Sequence, residues 1–190
     1  MRLFVALIPP PAAVEDLDAF LEVRRSAAPF RWALPEQLHL TLAFLGDVQE
    51  WRLDELLERL ARAAARRAAF ELAIAGGGAF PNVGRAKVIW AGLDCATGEG
   101  AVELGRLATG ARAAAAKSGI EVGGARFRPH VTVARLGVPA EVSAWVRLLD
   151  TYRGPSWTAG SIALVESHLG EGPRGRPRYD VLAELPLAGL

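Results

Sequence analysis

Two short segments of this chain carry nearly the same eight residues, and each begins with a histidine. The first runs from His39 to Gly46 with the sequence HLTLAFLG, and the second runs from His130 to Gly137 with the sequence HVTVARLG. Five of the eight positions are identical, and two exchange Leu for Val. Because the chain has only three histidines, the repetition places two of them at equivalent positions.

In both segments a histidine and a threonine stand two residues apart, with branched apolar residues between and after them. Successive side chains of a β-strand point to opposite faces, so His39 shares one face with Thr41. His130 and Thr132 share a face for the same reason. The Leu or Val residues take the opposite face and can enter a core. Two such strands facing each other would bring two imidazoles and two hydroxyls to one point.

Such a group of side chains has a definite chemistry. Two imidazoles can divide acid and base work, because an unperturbed histidine titrates near about pH 6.5. The Thr41 and Thr132 hydroxyls can donate hydrogen bonds to an anionic centre, and Arg135 adds a cation beside the second histidine. An acid, a base and donors to an anion, with no nucleophilic side chain, favour phosphoester transfer or hydrolysis over acyl transfer.

Arg135 does not fit simple strand alternation. It lies an odd number of residues from His130, so regular alternation would turn it away from the shared face. We therefore expect the strand to end or to form a β-bulge near Ala134. The first segment has Phe44 at the corresponding position, so the two copies are not equivalent.

The pattern along the whole chain predicts a mixed α/β fold in which each motif strand is followed by a helix. The predicted strands are Arg2–Ile8, Leu38–Leu45, Phe70–Ala75, Lys87–Leu93, Phe127–Leu136, Ser161–Leu169 and Tyr179–Leu185. The predicted helices run from Pro10 to about Arg24 and over Glu50–Arg67, Glu99–Ser118 and Pro139–Leu149. Gly76–Gly78 is interpreted as a flexible loop. The repeated strand–helix unit suggests two lobes related by a pseudo-two-fold axis, and the lobes need not be contiguous in sequence.

Composition narrows the class of protein further. Basic and acidic residues number 22 and 21, so the net charge of +1 gives no global field typical of a nucleic-acid-binding protein. Cys95 is the only cysteine, which rules out an intrachain disulfide and favours a reducing compartment. No apolar run approaches the roughly 18 residues of a membrane helix. These features predict a cytoplasmic protein, and with little sign of an oligomer interface we expect a monomer.

The paired His-x-Thr segments resemble the two-histidine (2H) phosphoesterase superfamily, and within it the RNA 2′,3′-cyclic phosphodiesterases, also called 2′-5′ RNA ligases. The likeness extends to the opening strand, to Arg31–Gly46, to Ala79–Pro81 and to Val88–Gly92. It implies an α/β (α+β) fold with a single bilobal domain over residues 1–190. The lobes would be two pseudo-two-fold related units of antiparallel-rich sheet, with outer helices and a central cleft.

The same resemblance implies an activity. The protein would open a ribose 2′,3′-cyclic phosphate, at an RNA end or in a nucleoside cyclic phosphate, to a 2′-phosphate without metal or cofactor. His39 would protonate the departing 3′ oxygen, and His130 would activate the attacking water. Thr41, Thr132 and Arg135 would hold the phosphate. The acid and base labels are less firmly fixed than the pair, because the reverse ligation exchanges them.

Three alternatives differ from this interpretation. The first is a zinc hydrolase that uses His39, His130 and His168 as ligands. The second is action on 2′-5′ linked oligonucleotides, including ligation. The third is a binding module for RNA ends in which both histidines only form hydrogen bonds.

Several further side chains have two interpretations each. Arg174, Arg176 and Arg178 could attract RNA phosphates or could be ordinary solvated loop residues. Trp32 and Phe80 could stack on a nucleobase or pack in the core.

Overall fold

The computed structural model describes residues 1–123 and 125–189, and these residues form nine strands and four helices. The strands are β1 (Arg2–Leu7), β2 (Arg31–Trp32), β3 (Leu40–Asp47), β4 (Phe70–Phe80), β5 (Ala86–Cys95), β6 (Val131–Ala140), β7 (Trp157–Ala159), β8 (Ser161–His168) and β9 (Arg178–Pro186). The helices are α1 (Pro11–Glu22), α2 (Leu53–Ala64), α3 (Gly98–Lys117) and α4 (Ser143–Asp150). Each motif strand is followed by a helix, as predicted.

The strands form one sheet in the order β7-β4-β5-β6-β3-β1-β8-β9, with β2 added to β6. The order is symmetric about its centre: β6, β5, β4 and β7 run outward on one side, and β3, β1, β8 and β9 on the other. All pairings between these strands are antiparallel. The two halves therefore form the predicted pseudo-symmetric lobes. They are not contiguous in sequence, because β8 and β9 return from the C-terminal part to join β1 and β3.

The two lobes meet at the motif strands. Within the described residues, β3 and β6 pair at the single position Leu40–Val131. Beyond this position β3 pairs with β1 and β6 pairs with β5. The two motif strands therefore diverge, and a cleft opens between the lobes on one face of the sheet. On the opposite face, α2 and α3 cover the sheet with leucines that are almost completely buried, among them Leu56, Leu60 and Leu107. The apolar alternate positions of both motifs enter this core, as predicted.

Both motif strands contain a β-bulge at the same position. On β3, Thr41 and Ala43 pair with consecutive residues of β1, so Leu42 is the extra residue. On β6, Thr132 and Ala134 pair with consecutive residues of β5, so Val133 is the extra residue. Each extra residue resets the alternation of side chains that follow it.

The second bulge resolves the position of Arg135. Strand β6 does not end near Ala134 but continues to Ala140, and the extra residue Val133 returns Arg135 to the face of the histidine. The equivalent bulge on β3 places Phe44 on the same face of the first strand. The predicted irregularity is therefore confirmed, one residue earlier than expected and in both copies.

The predicted loop at Gly76–Gly78 is wrong, because β4 runs through the three glycines to Phe80. A Cβ atom on Gly77 would collide with the Leu149 side chain, and a Cβ atom on Gly78 would collide with the Trp90 ring. The glycines therefore permit close packing against the strand rather than a flexible turn. Sequence alone does not show which neighbour approaches a glycine.

The largest remaining differences from the predicted boundaries lie around the second motif. The second motif strand begins at Val131 rather than Phe127, and the following helix begins at Ser143 rather than Pro139. The residues up to Ala140 remain in β6 because Ala140 pairs with Ala86 of β5. None of the helices in the described chain combines the length and apolarity needed to cross a membrane.

Candidate active site

The two motif histidines line one cleft of about 710 Å³ between the lobes. His39 lies directly before β3 and His130 directly before β6. Because Leu40 and Val131 are opposite one another in an antiparallel pair, this register sets His39 opposite Thr132 and His130 opposite Thr41. The cleft face of the junction therefore carries both histidines and both threonines, as the repeated spacing predicted.

Both imidazoles are oriented in the same way. His39 Nδ1 lies 2.7 Å from the Gln37 carbonyl oxygen, and His130 Nδ1 lies 2.6 Å from the Arg128 carbonyl oxygen. A carbonyl can only accept a hydrogen bond, so each Nδ1–H donates to the residue two positions earlier. In the neutral ring the lone pair is then on Nε2. Each histidine is fixed in the tautomer that a general base requires, and a protonated ring would donate from the same atom.

The two Nε2 atoms have different surroundings. His39 Nε2 lies 3.0 Å from the Thr41 hydroxyl, which donates a hydrogen bond to the neutral ring. His130 Nε2 has no hydrogen-bond partner in the part of the chain that the structure describes. The first histidine is therefore held from both ring nitrogens, and the second retains a free nitrogen towards the cleft.

The cleft disfavours the charged form of both rings. The pKa of His39 is lowered from 6.5 to about 4, chiefly by burial, with smaller contributions from the positive charges of His130 and Arg135 and an opposing effect of the Gln37 carbonyl. Burial also lowers the pKa of His130, with additional contributions from Arg135 and Arg128. Both rings are thus neutral at pH 7 in the free cleft. A bound anion opposes the arginines and raises both pKa values.

Aromatic rings enclose each histidine, and the sequence analysis did not identify three of them. The Phe4 ring lies 4.7 Å from the His39 ring, and the Tyr179 ring meets it edge-on at 5.3 Å. Both rings thus lie against the imidazole whose pKa is lowered chiefly by burial. The phenylalanine on β1 could have been found from the alternation of that strand, but no local signal marks the tyrosine on β9.

The second histidine is enclosed in the same manner. Phe80 meets His130 edge-on at 4.8 Å, and Trp90 lies 6.0 Å away. Phe80, a candidate nucleobase platform in the sequence, contacts the His130 ring in the structure. Trp32, the other candidate platform, is 8% exposed, and its indole N–H donates to the Ala28 carbonyl. The core-packing interpretation of Trp32 is therefore confirmed.

The cleft is strongly cationic although the chain is nearly neutral. Arg2, Arg31, Arg135 and Arg176 line it. Neither Asp nor Glu is among the described lining residues, and none of these four arginines forms an ion pair with a carboxylate of the described chain. Clustered cations in a concave, partly apolar site focus a positive potential onto its interior. The arrangement is suited to bind an anion.

The three arginines of the last loop have three different environments. Arg176 is buried and lines the cleft. Arg178 forms ion pairs with Glu171 and Asp180, and Arg174 is exposed. Nothing in the sequence distinguished the three arginines. The loop conformation gives them different environments.

His168 is not part of the cleft. Its Nε2 lies 3.1 Å from Asp180 and 3.6 Å from Glu166, at the end of β8. Among residues 1–123 and 125–189, no group of three His, Cys, Asp or Glu side chains has the arrangement of a metal site. The structure therefore does not bring His168 together with His39 and His130, as the zinc alternative requires.

The pseudo-symmetric sheet and its cleft, with one His-x-Thr strand from each lobe, define a protein of the two-histidine phosphoesterase class. A family model described as LigT-like phosphoesterase matches residues 8–90 and 96–174. Each matched stretch contains one of the two motifs. The chain belongs to the LigT-like phosphoesterase family.

Relatives of known name agree with this assignment. The RNA 2′,3′-cyclic phosphodiesterase of Thermus thermophilus is 35% identical over 100% of this chain and 91% of its own length. That of Aeropyrum pernix is 34% identical over 85% of this chain and 90% of its own. Crystal structures of TT0787 from Thermus thermophilus and of E. coli LigT without ligand superpose with TM-scores of 0.75 and 0.76. They are 32% and 26% identical, and each alignment covers at least 98% of both chains.

Proposed function

We propose that this protein hydrolyses ribose 2′,3′-cyclic phosphates, at RNA ends or in nucleosides, to 2′-phosphates. One observation carries the proposal: His39 and His130 line the same cationic cleft, and each ring is bonded through Nδ1 to a backbone carbonyl, which leaves Nε2 as the atom for proton transfer. The relatives named as RNA 2′,3′-cyclic phosphodiesterases support it. A LigT crystal structure contains 3′-AMP, which is consistent with a nucleotide in the equivalent cleft.

The chemistry follows from the two imidazoles. One neutral ring takes a proton from water as the water oxygen attacks phosphorus. The bond from phosphorus to the 3′ oxygen breaks, and a protonated ring gives its proton to that oxygen. The products are a 2′-phosphate and a free 3′-hydroxyl. Thr41, Thr132 and Arg135 hold the non-bridging oxygens while negative charge develops on them.

The assignment that we propose makes His39 the acid and His130 the base. In the free cleft the pKa of His39 is about 4, so the protonated form of this ring is not favoured at neutral pH. The assignment therefore requires the substrate phosphate to raise the pKa of His39. A substrate with sulfur in place of the departing 3′ oxygen needs no general acid. It should restore the rate of His39→Ala and leave His130→Ala impaired; the opposite pattern would reverse the two roles.

The decisive experiment measures turnover of adenosine 2′,3′-cyclic phosphate, and of a short RNA ending in a cyclic phosphate, in excess EDTA. The 2′- and 3′-phosphate products are separated, and His168→Ala serves as a matched histidine control outside the cleft. We expect the 2′-phosphate alone, normal activity in the control, and loss of activity in His39→Ala and His130→Ala.

Each other outcome supports a different alternative. Tight binding of RNA ends without turnover would favour a binding module. Activity on 2′-5′ linked oligonucleotides but not on cyclic phosphates would favour the ligase-like alternative. Activity abolished by EDTA would favour a metal-dependent enzyme.

The proposal also includes the setting in which the enzyme works. Residues 1–190 would act as one bilobal domain, because each lobe contributes one histidine to the cleft. A monomer suffices, since one chain supplies both motifs. The single cysteine fits the cytoplasm. Light scattering of the purified protein and fractionation of cells test these two expectations.

A further inference from the structure

Arg176 is a buried cation that forms no ion pair with a carboxylate of the described residues. It is 9% exposed, and its Nε donates a hydrogen bond of 3.0 Å to the Trp32 carbonyl. Its two terminal nitrogens form no hydrogen bond with the described chain, and neither is sealed from solvent. Since Arg176 lines the cleft, these nitrogens are available to a molecule bound there. A buried guanidinium without a counter-charge is costly, so an anion at this position would stabilise it.

The charges around Arg176 also favour a bound anion at this position. Arg174 and Arg31 act on it as like charges, and Glu36 is an attractive charge beyond ion-pair distance. Burial and the two arginines lower the pKa of Arg176, in keeping with a guanidinium whose nearest charges in the described chain are mostly positive.

The loop that carries Arg176 is fixed rather than loosely exposed. The Gln37 side chain donates a hydrogen bond of 2.9 Å to the Pro177 carbonyl. Gly172 N donates one of 2.7 Å to the Arg176 carbonyl, and a Cβ atom on Gly172 would collide with the same carbonyl oxygen. The side chain is therefore pre-positioned, as expected of a binding residue.

Arg31 connects this position to the proposed catalytic phosphate site. On the antiparallel pair of β2 and β6, Arg31 is the direct cross-strand neighbour of Arg135. Like charges at such positions repel each other, and both side chains line the cleft. The next residue of β2, Trp32, holds Arg176 through its carbonyl. Arg135, Arg31 and Arg176 thus form a continuous cationic strip along one wall of the cleft.

We propose that Arg31 and Arg176 form a second phosphate site, which binds the phosphodiester immediately upstream of the terminal nucleotide while Arg135 and the threonines hold the reacting phosphate. The proposal rests on the proposed function and narrows its substrate class. The preferred substrate is the end of an RNA chain, or a nucleotide with a 5′-phosphate, rather than a nucleoside 2′,3′-cyclic phosphate alone.

Three substrates distinguish the contributions of the two phosphate sites to kcat/KM. They are adenosine 2′,3′-cyclic phosphate, the same compound with a 5′-phosphate, and the dinucleotide ApA ending in a cyclic phosphate. The second adds the upstream phosphate without a second nucleoside. We expect its kcat/KM, and that of the dinucleotide, to exceed the kcat/KM of the first by about 10- to 100-fold, the usual effect of charged hydrogen bonds. The upstream phosphate should also steepen the fall of kcat/KM with salt.

Arg176→Gln and Arg31→Gln test the assignment. Each should reduce the advantage of the 5′-phosphate to less than about threefold and remove the added salt dependence. Arg178→Gln is the matched control, because Arg178 belongs to the same loop but is ion-paired with Glu171 and Asp180. It should retain the full advantage. If Arg176→Gln fails to fold, the exposed Arg31 decides the question alone.

The failure of the second site is distinguishable from failure of the proposed function. Equal kcat/KM for all three substrates in the wild type would overturn the second phosphate site and leave the cyclic phosphodiesterase intact. An advantage that survives both arginine substitutions would also overturn it. Absence of turnover with all three substrates would overturn the proposed function itself.

Discussion

The two lobes of the sheet present the same histidine–threonine pair with different charges around it. Beside His39 lie two aromatic rings, a hydrogen bond from Thr41, and the exposed Phe44 after the bulge. Beside His130 the bulge presents Arg135, with Arg31 one strand away. A shared strand geometry thus supplies two equivalent imidazoles, and one changed residue concentrates positive charge in the second lobe.

This difference divides the cleft into two functional walls. The wall formed by β6 and β2 is cationic and suited to phosphate oxygens. The wall formed by β1, β3 and β9 carries one of the described lining arginines, Arg2, beside the rings of Phe4, Phe44 and Tyr179, which are suited to the less polar parts of a nucleotide. Four predictions test or refine this comparison.

The largest effect should come from either histidine, because the proposed mechanism uses both imidazoles in the same chemical step. His39→Ala and His130→Ala should each lower kcat by about 10³- to 10⁴-fold, the upper range of general acid–base catalysis. The double variant should be only slightly worse than either single one, because the residues act as a unit. Steady-state kinetics measure these effects, and thermal melts confirm folding. Near-normal activity of either single variant would show that only one lobe is catalytic.

The position that is Phe44 in the first motif and Arg135 in the second should show the clearest functional difference between the lobes. In the proposed mechanism Arg135→Gln removes a charged donor to the reacting phosphate, so it should lower kcat/KM by about 10²- to 10³-fold. Phe44→Ala, at the same position of the other copy, should lower it by less than about tenfold, mainly through KM. Parallel kinetic assays on one substrate make the comparison. Equal losses at the two positions would contradict the division into cationic and apolar walls.

Stability should depend on pH through the buried imidazoles. The folded pKa of His39 is about 4, below the unfolded value of about 6.5. Between these values the unfolded chain binds more protons, so stability falls as pH decreases from about 6.5 towards 4. His39 alone should cost about 2 kcal/mol between pH 7 and pH 5.

Urea unfolding of the wild type and of His39→Asn at both pH values measures this effect. The variant should lose correspondingly less stability on acidification, and His130→Asn should change the slope in the same direction. Identical pH slopes for wild type and His39→Asn would show that the ring is not shielded from solvent.

The smallest expected effect is a difference between the two threonines in how each influences the pKa of its neighbouring histidine. Thr41 donates to the neutral His39 ring, so Thr41→Val should raise the pKa of His39 by roughly half a unit to one unit. Thr132→Val should leave the pKa of His130 near its wild-type value, because no hydroxyl of the described residues donates to that ring. NMR titration of the ring protons measures both. An equal shift in both variants would show that the two lobes treat their histidines alike.

The local spacing of residues in the sequence predicted much of the candidate site. The two-residue interval places a histidine and a threonine on one face of a strand, whatever follows along the chain. The repetition predicted two related lobes, and the sheet order confirms them. The irregularity inferred from the odd spacing of Arg135 is present as a bulge. These predictions succeeded because each depends on backbone geometry over a few residues.

Other features depended on distant neighbours. Gly76–Gly78 were interpreted as a loop, but the packing of Trp90 and Leu149 against them requires glycine within a strand. Tyr179 and Phe4 lie against the His39 ring from strands far apart in sequence. Arg176 differs from Arg178 only because of the loop conformation around it.

The sequence by itself determined the identity of the two histidines and two threonines, their common face and the pseudo-symmetric pair of strands, because strand periodicity is a local property. Only the tertiary structure decided which charges surround them. The strand order brings β2 and the last loop to one wall of the cleft, and this placement gathers Arg31, Arg135 and Arg176 where neither Asp nor Glu is among the described lining residues. Electrostatic interactions act through space between distant segments, so they follow from the fold rather than from spacing along the chain.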